Sequence, residues 1–169
     1  MRTVIYPGSF DPLHNGHLDV VRRASRIFDR VVVAVALNEA KKPLFPIAER
    51  HALVRAATEG LDNVEADTFD GLLVDYVVRR GACAVLRGLR AVSDFEFEFQ
   101  LALMNRRLDE RVETLFMTPK DTFTFVSSRL VKEIARLGGD VTPFVPPVVA
   151  EALKRRLAQS GAGSPSGAP

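Results

Sequence analysis

The segment from Tyr6 to His17, which reads YPGSFDPLHNGH, holds the densest group of residues that could do chemistry. Gly8 lets a phosphate approach the backbone closely, and the first turn of a following helix would offer free N–H groups to an anion. His14 and His17 are three residues apart, so both side chains can face one pocket. A plain turn with surface histidines is the alternative interpretation. The complete string, placed directly after an apolar run, favours a phosphate-handling site.

Cationic and hydroxyl side chains recur at three later places. Lys41 and Lys42 lie in a polar segment, and taken alone they are more typical of a solvated loop. Arg87 and Arg90 flank a glycine after an apolar run, which suits a phosphate turn and ordinary surface charge about equally. The pair Ser127-Ser128 is typical of a helix cap, whose geometry also binds phosphate.

The sequence shows no Ser-His-Asp arrangement and no cysteine nucleophile. Neither is required if the acceptor is itself a phosphate, because a phosphate is already an anionic nucleophile at neutral pH. The protein would then bring two polyanions into line and neutralise the charge that develops on phosphorus. An imidazole donor with lysine or arginine cations suits this task. Mg²⁺ tends to keep its waters and to bind substrate phosphates, so a dense carboxylate cluster is not needed.

The elements that position these residues follow a βαβ pattern. Short apolar runs rich in valine alternate with longer stretches of helical period. Strands are predicted at 3–6, 30–37, 64–69, 84–87 and 113–117, and helices at 18–28, 46–57, 71–80, 93–108, 127–137 and 147–157. We therefore predict an α/β fold, a single Rossmann-like domain with a five-stranded, mostly parallel sheet and helices on both faces. Ligands bind at the carboxyl ends of such strands, which is where the first segment lies.

Three helix boundaries depend on local signals. Residues 95–99 alternate at period two, as in a strand, but Ser93 and Glu96 form an S-x-x-E capping box and a helical stripe follows. We therefore predict a helix that begins at Ser93. Pro46 is predicted as the first residue of its helix, and Gly138-Gly139 as the end of the 127–137 helix.

Composition bounds the class of protein. The chain has 169 residues, 47% of them hydrophobic, which suits one well-buried domain over residues 1–159. Its net charge of +2 is too mild for a nucleic-acid-binding stripe, so no nucleic-acid partner is expected. The single cysteine, Cys83, excludes an internal disulfide, and its apolar neighbours predict a small core residue.

The ends of the chain and its hydropathy give further expectations. No apolar run approaches the roughly 20 residues of a membrane span, and the N-terminus lacks the layout of a signal peptide. We expect a soluble, cytoplasmic protein with no membrane partner. Residues 160–169 contain only Ser, Gly, Ala and Pro, which predicts a flexible tail.

The first segment resembles the nucleotidyltransferase superfamily, whose mark is a G-x-F-D-P-x-H-x-G-H-type motif. Its members here are Gly8, Phe10, Asp11, Pro12, His14, Gly16 and His17. Four later segments make the resemblance more specific: KKP at 41–43, RGLRAV at 87–92, DFE at 94–96 and SSRLVKE at 127–133. In this order and spacing they are similar to the bacterial phosphopantetheine adenylyltransferase family, over about residues 3–157.

This resemblance implies a reversible transfer of AMP from ATP to 4′-phosphopantetheine. The products would be dephospho-coenzyme A and pyrophosphate, in the penultimate step of coenzyme A synthesis. Mg²⁺ would accompany the ATP, bound mainly through its phosphates and water. The resemblance also implies a homo-oligomer, namely a hexamer, and feedback inhibition by coenzyme A.

The resemblance also implies roles for individual residues. His17, Lys41 and Arg90 would be catalytic, with His17 stabilising the transition state at the α-phosphate. The acceptor would be bound by Ser9, Lys41, Leu73 and Arg87. The residues around ATP would be Ser9, Phe10, His17, Gly88, Leu89, Arg90, Glu98, Phe123, Thr124, Phe125, Val126, Ser127, Ser128 and Arg129.

Two positions depart from the family pattern. His14 stands where many members have threonine, although histidine is common there in the wider superfamily. Arg129 stands where serine or threonine is usual, so it either adds a phosphate contact or faces solvent. The nearest alternatives keep the chemistry with another acceptor, nicotinate mononucleotide or, with CTP, glycerol 3-phosphate. A non-catalytic nucleotide-binding sensor is an alternative of another class.

Overall fold

The computed structural model describes residues 2–37 and 42–161, apart from the side chains of Ser93 and of residues 160–161. The strands are β1 (Thr3–Gly8), β2 (Arg30–Ala36), β3 (Val64–Phe69), β4 (Ala84–Gly88) and β5 (Glu113–Met117). The α-helices are α1 (Asn15–Ala24), α2 (Ile47–Ala57), α3 (Leu73–Arg79), α4 (Val92–Leu108), α5 (Ser128–Arg136) and α6 (Pro147–Gly161), with a 3₁₀ turn at Asp121–Phe123.

The strands form one sheet in the order β3-β2-β1-β4-β5, and each neighbouring pair is parallel. The predicted five-stranded α/β architecture is therefore confirmed. The order reverses at β1, because β2 and β3 are added on one side of it and β4 and β5 on the other. Ligands of open parallel sheets bind at such a switch point, beyond the carboxyl ends of the strands. Those ends are Gly8 of β1 and Gly88 of β4.

Helices cover both faces of the sheet. Alternate residues of a strand point to opposite faces. Val4 and Tyr6 join a buried cluster with residues of α1, α2, α5 and α6, whereas Ile5 joins a second cluster with α3. Residues 31–35 of β2 are fully buried, which explains the unbroken apolar run of this central strand. None of the helices in residues 2–37 and 42–161 is long and apolar enough to span a bilayer.

Some predicted boundaries are wrong. β1 and β4 extend further than predicted, to Gly8 and Gly88, while α1 ends at Ala24 with Ser25 as its C-cap. The last helix, predicted to end at residue 157, continues to Gly161. The rest of the predicted tail, 162–169, lies outside the described residues.

The predicted capping box at Ser93 is also wrong. Helix α4 begins at Val92, and Ala91 occupies its N-cap position without a side-chain hydrogen bond. Ser93 therefore lies within the first turn, where it cannot serve as the N-cap. The alternating residues 95–99, taken alone, would have predicted a strand. The predicted helix over this segment is confirmed.

Of the two other predicted helix boundaries, the one at Pro46 is wrong by one position and the one at Gly138 is confirmed. Pro46 occupies the N-cap position of α2 rather than the first helical position, and its carbonyl accepts the N–H of Arg50 at 3.0 Å. The glycine ending of α5 is confirmed. Gly138 has a φ of 78°, and the N–H of Gly139 donates to the carbonyl of Ile134 at 2.9 Å, as in a Schellman motif.

Cys83 is exposed, so its prediction as a core residue is wrong. It immediately precedes β4, and its N–H donates to the carbonyl of Thr3 at 2.9 Å. Its apolar neighbours belong to the strand that follows. Cys83 itself lies one residue before that strand begins.

Candidate active site

A cavity of about 350 Å³ lies at the carboxyl ends of β1 and β4. The loop after β1, the first turn of α1, the turn after β4, the first turns of α4 and the start of α5 all border it. The predicted site residues that line it are Ser9, Phe10, His17, Arg87, Gly88, Arg90, Glu98, Phe123, Ser127 and Ser128. The fold thus brings together residues as far apart in the chain as Ser9 and Ser128.

The turn after β1 is built around Phe10. This residue is buried and has a φ of 46°, in the left-handed region that a bulky side chain adopts only under strain. A Cβ on Gly8 would lie 2.9 Å from the Phe10 ring, so glycine is needed here for the packing of that ring. The Phe10 ring also meets His17 edge-on, with centroids 5.0 Å apart.

His14 and His17 cap the first turn of α1 reciprocally. The His14 N–H donates to Nδ1 of His17 at 3.2 Å, and the His17 N–H donates to Nδ1 of His14 at 3.4 Å. Their rings stack with centroids 3.6 Å apart. A Cβ on Gly16 would lie 3.1 Å from the His14 ring, so this glycine leaves space for the stack.

Both imidazoles are held neutral. Burial, with a smaller contribution from Arg90, lowers the pKa of His14 to about 3. Burial also holds the pKa of His17 well below its ordinary value, and the neighbouring His14 and Arg90 act in the same direction. The site therefore offers hydrogen-bonding imidazoles, whereas positive charge in it comes from arginines.

The two arginines of the cavity are each paired with a carboxylate of α4. Arg87 binds Glu98 through two hydrogen bonds of 2.7 and 2.6 Å, and donates a third to the carbonyl of Pro7 at 3.0 Å. Arg90 binds Asp94 at 3.1 and 3.3 Å. Because Asp94 and Glu98 are four residues apart, one face of α4 holds both guanidinium groups.

The start of α5 contributes the serine pair. Ser127 is the N-cap, and its Oγ accepts the N–H of Leu130 at 3.2 Å. The Ser128 hydroxyl donates to the carbonyl of Pro12 at 2.8 Å and ties α5 to the motif loop. The predicted helix cap is confirmed at Ser127, and both residues line the cavity.

Comparison with known proteins gives the chain a family. A cytidylyltransferase-like family model matches residues 5–134. The chain is 59% identical to a phosphopantetheine adenylyltransferase of Alkalilimnicola ehrlichii, over 90% of this chain and 88% of that protein. It is 53% identical to one of Thiobacillus denitrificans, over 95% of this chain and 100% of that protein. The chain belongs to the phosphopantetheine adenylyltransferase family.

Solved structures share the fold of this phosphopantetheine adenylyltransferase family member. A proposed nicotinate-nucleotide adenylyltransferase of Vibrio parahaemolyticus superimposes with a TM-score of 0.67, at 21% identity over 91% of this chain and 99% of that one. A lipopolysaccharide core biosynthesis protein of Thermoplasma volcanium gives 0.55, at 23% identity over 72% and 99%. At these identities the likeness concerns the fold alone.

Asp11 of the nucleotidyltransferase motif stabilises the loop after β1 through buried contacts. Its buried carboxylate accepts the N–H groups of Leu44 and Phe45, both at 2.9 Å, and pairs with Lys132 at 2.8 Å. Buried Arg50 supports the same loop by donating to the carbonyl of Ser9 at 2.7 Å. Asp11 and Lys132 therefore have a structural role, which sequence spacing alone did not reveal.

Other residues that the family resemblance implied lie outside the cavity lining. Leu73 begins α3 and packs against the cluster on the opposite face of the sheet. Val126 is buried, with its carbonyl accepting Arg90, and Phe125 and Arg129 are exposed. Leu89 and Thr124 also lie outside the lining, and Lys41 lies outside the described residues.

The cavity includes residues that sequence reasoning did not assign to it. These are Tyr6, Pro7, Val20, Asp94 and Pro119. Asp94 could have been found from its spacing of four residues from both Arg90 and Glu98. Tyr6 reads as an ordinary strand residue, and burial raises the pKa of its hydroxyl.

Proposed function

We propose that this chain transfers AMP reversibly from ATP to 4′-phosphopantetheine, giving dephospho-coenzyme A and pyrophosphate. The observation that carries this proposal is its 53 to 59% identity to phosphopantetheine adenylyltransferases, joined to a cavity that gathers His17, Arg87 and Arg90. An oxygen of the acceptor phosphate attacks the α-phosphorus of ATP. The bond between that phosphorus and the bridging oxygen breaks, and its electron pair leaves with pyrophosphate.

In this proposal His17 donates a hydrogen bond to an oxygen of the α-phosphate. No proton needs to be transferred, because the acceptor phosphate is already anionic. A neutral donor held in place before the reaction needs no reorganisation during it. The bond strengthens as charge grows on the phosphate oxygens, so it stabilises the transition state more than bound ATP.

The cations of the site are proposed to hold the two polyanions. Arg90 and the Ser127-Ser128 turn would bind the β- and γ-phosphates, and Arg87, Lys41 and Ser9 the acceptor phosphate. Both arginines are paired with carboxylates of α4, so a substrate phosphate must share or replace those partners. This exchange favours dianionic groups, which attract a guanidinium more strongly than a carboxylate does.

The remaining contacts implied by the family stay proposals. For ATP they involve Phe10, Gly88, Leu89, Glu98, Phe123, Thr124, Phe125, Val126 and Arg129. For the pantetheine arm they involve Leu73. Gly88, Glu98 and Phe123 are supported by their place in the cavity lining. For Leu73 to take part, the arm would have to reach past the cavity to the start of α3.

Mg²⁺ is proposed to enter with ATP. The described residues contain no group of three or more His, Cys, Asp or Glu side chains that could hold a metal ion. Asp94 and Glu98 line the cavity but are engaged by arginines. This donor set fits an ion that keeps its waters and binds chiefly to phosphate. When bound, Mg²⁺ would neutralise charge on the β- and γ-phosphates.

A homohexamer is proposed from the family resemblance, and exposed apolar side chains of α4 support contact between copies. Phe97 is exposed by 65%, Met104 by 63% and Leu108 by 59% in the single chain. These residues are seven and four positions apart, so they share one face of the helix, here called the outer face of α4. Exposed apolar patches of this kind mark interfaces. Copies of the chain are the proposed partners.

Two further proposals concern the setting of the enzyme. We place it in the cytoplasm, where its substrates ATP and 4′-phosphopantetheine would be available. We also propose feedback inhibition by coenzyme A. Coenzyme A contains the adenylyl and pantetheine parts of the product, so the same cavity can accept it.

An assay of pyrophosphate release tests the function. Purified protein is supplied in parallel with ATP plus 4′-phosphopantetheine, ATP plus nicotinate mononucleotide, and CTP plus glycerol 3-phosphate. Release is expected only with the first pair. Turnover with nicotinate mononucleotide alone would reject the acceptor while keeping nucleotidyl transfer. Silence with every pair would favour a nucleotide-binding sensor.

A further inference from the structure

The reciprocal bonds between residues 14 and 17 determine where each imidazole carries its proton. Nδ1 of His14 and Nδ1 of His17 each accept a backbone N–H. A ring nitrogen that accepts cannot carry a proton, and a neutral imidazole has only one N–H. Both rings must therefore be protonated at Nε2. His17 then presents a donor, rather than a lone pair, at its other ring nitrogen.

Residue 14 contributes to this arrangement in two ways. Its backbone N–H occupies Nδ1 of His17, and its side chain caps the His17 N–H, which holds that backbone in the extended N-cap conformation. The His14 ring is 4% exposed and stacks on the His17 ring. Loss of the cap would free the turn and, with it, the orientation of His17.

The charged groups around the pair oppose its protonation. Arg87 and Arg90 face it from the end of β4, and Tyr6 faces His17 from β1 with ring centroids 6.4 Å apart. The carboxylates of α4 that line the cavity, Asp94 and Glu98, are bound to those arginines. Among the described residues no carboxylate hydrogen-bonds to either imidazole. The positive end of the α1 dipole also disfavours an imidazolium.

We propose that His14 is a positioning residue that, by capping α1, fixes His17 as a single-tautomer Nε2–H donor toward the α-phosphate. The inference rests on the proposed function for its catalytic consequence. The tautomer itself does not depend on which acceptor is used. A cap could also be supplied by a hydroxyl, so threonine at this position would preserve the backbone bond to His17 even without the ring stack.

Nitrogen-15 NMR on the full chain tests the proposal directly. The protein has three histidines, so a His51→Gln variant leaves only the signals of the pair. In the unaltered protein both rings should show the Nε2–H pattern and should not titrate between pH 5 and 8. An Nδ1–H pattern at His17, or titration of His17 within that range, overturns the proposal.

Two substitutions separate the cap from the ring. His14→Ala, which removes the cap, should give mixed tautomers at His17, shift its pKa upward and lower kcat by about 10–100-fold, as loss of an orienting partner does for ligating histidines. His14→Thr should restore the single tautomer and the larger part of kcat. Circular dichroism confirms that each variant is folded before it is compared.

The two variants distinguish a positioning role of His14 from a merely structural one. If His14→Ala keeps the tautomer and kcat, residue 14 does not position His17. If His14→Thr behaves like His14→Ala, the cap is not the cause and the proposal is overturned. Failure of the proposed function looks different, because unaltered protein would show the Nε2–H pattern yet release no pyrophosphate with 4′-phosphopantetheine.

Discussion

His17 is the neutral imidazole that we propose as the hydrogen-bond donor to the α-phosphate. Its bond to the α-phosphate should matter most in the transition state, so His17→Ala should lower kcat by about 10²–10³-fold with modest change in ATP affinity. Steady-state kinetics and calorimetry with ATP measure the two effects. His51→Ala, the same change outside the cavity, serves as the control. A kcat within a few-fold of the parent would remove His17 from the proposed role.

The neutral histidine pair also makes stability depend on pH. In the unfolded chain a histidine binds a proton below about pH 6.5, whereas His14 in the fold does so only near pH 3. Between these values the unfolded state binds more protons, so the free energy of unfolding falls as pH falls. One such group contributes a slope of at most about 1.4 kcal/mol per pH unit.

His14→Thr removes one of these two groups, so its stability should fall less steeply with acid than that of the parent. Urea unfolding of both proteins at several pH values between 6.5 and 4.5 measures the slopes. Parallel curves for the two proteins would show that His14 is protonated in the fold over this range.

Arg87, which pairs with Glu98, is proposed to bind the acceptor phosphate and not ATP. Arg87→Ala should raise the acceptor KM by about tenfold or more, since a charge-assisted bond to phosphate is lost. ATP binding should stay measurable by calorimetry. The matched variant Glu98→Gln keeps Arg87 while weakening its present partner. Loss of ATP binding in Arg87→Ala, with the acceptor KM unchanged, would reverse the assignment.

At the level of elements, Asp11 and Lys132 join the motif loop to α5. The Asp11 carboxylate is 7% exposed, so removing its cationic partner leaves buried charge less well compensated. Lys132→Met should lower the free energy of unfolding by about 2 kcal/mol. Lys154→Met removes a lysine whose pair with Glu151 is exposed, and should cost no more than about 0.5 kcal/mol. Equal losses in urea unfolding would contradict a structural role for the Asp11 pair.

Most strands and helices could be predicted from the sequence, whereas one helix cap could not. Apolar runs predicted the three inner strands, β1, β2 and β4, because strands covered on both faces need apolar side chains throughout. The edge strands β3 and β5 mix polar with apolar residues and are only partly buried, yet their predicted bounds are also confirmed. The capping box at Ser93 was wrong because α4 starts one residue earlier, at Val92. The capping box that the structure does contain is at the start of α1 and is formed by His14 and His17. The usual pattern of Ser or Thr followed by Glu or Gln does not include this pair.

For the site, sequence predicted the residues that meet at strand ends. The motif loop, the turn at Arg87 and the Ser127-Ser128 cap converge because they follow three parallel strands, β1, β4 and β5, whose carboxyl ends lie at one edge of the sheet. The sequence could not predict that Arg87 binds Glu98, because these residues are eleven positions apart and meet only once α4 packs beside β4. The position of Leu73 relative to the cavity could not be predicted either, because its place in the fold depends on the packing of α3.

For the whole molecule, the outer face of α4 is the feature to test. Phe97→Asp should dissociate the proposed hexamer, because burying a carboxylate in an apolar interface is costly. Light scattering at several protein concentrations measures the mass. Leu137→Asp introduces the same charge at another strongly exposed apolar residue, outside α4, and should leave the mass unchanged. A monomer in the unaltered protein would reject the hexamer outright.

The strand order leaves β3 and β5 as the two open edges of the sheet, and they differ in character. On β3, Glu65 and Asp67 are held by Arg80 beside the strand, and fixed charge of this kind discourages another strand from pairing there. On β5, Leu115 is exposed by 43%, and Phe116 contacts Phe95 of α4. If copies of the proposed hexamer meet through the β5 side, the charged β3 edge of each copy would oppose further strand pairing. Such an arrangement would favour a closed assembly of finite size over growth into an unlimited ribbon.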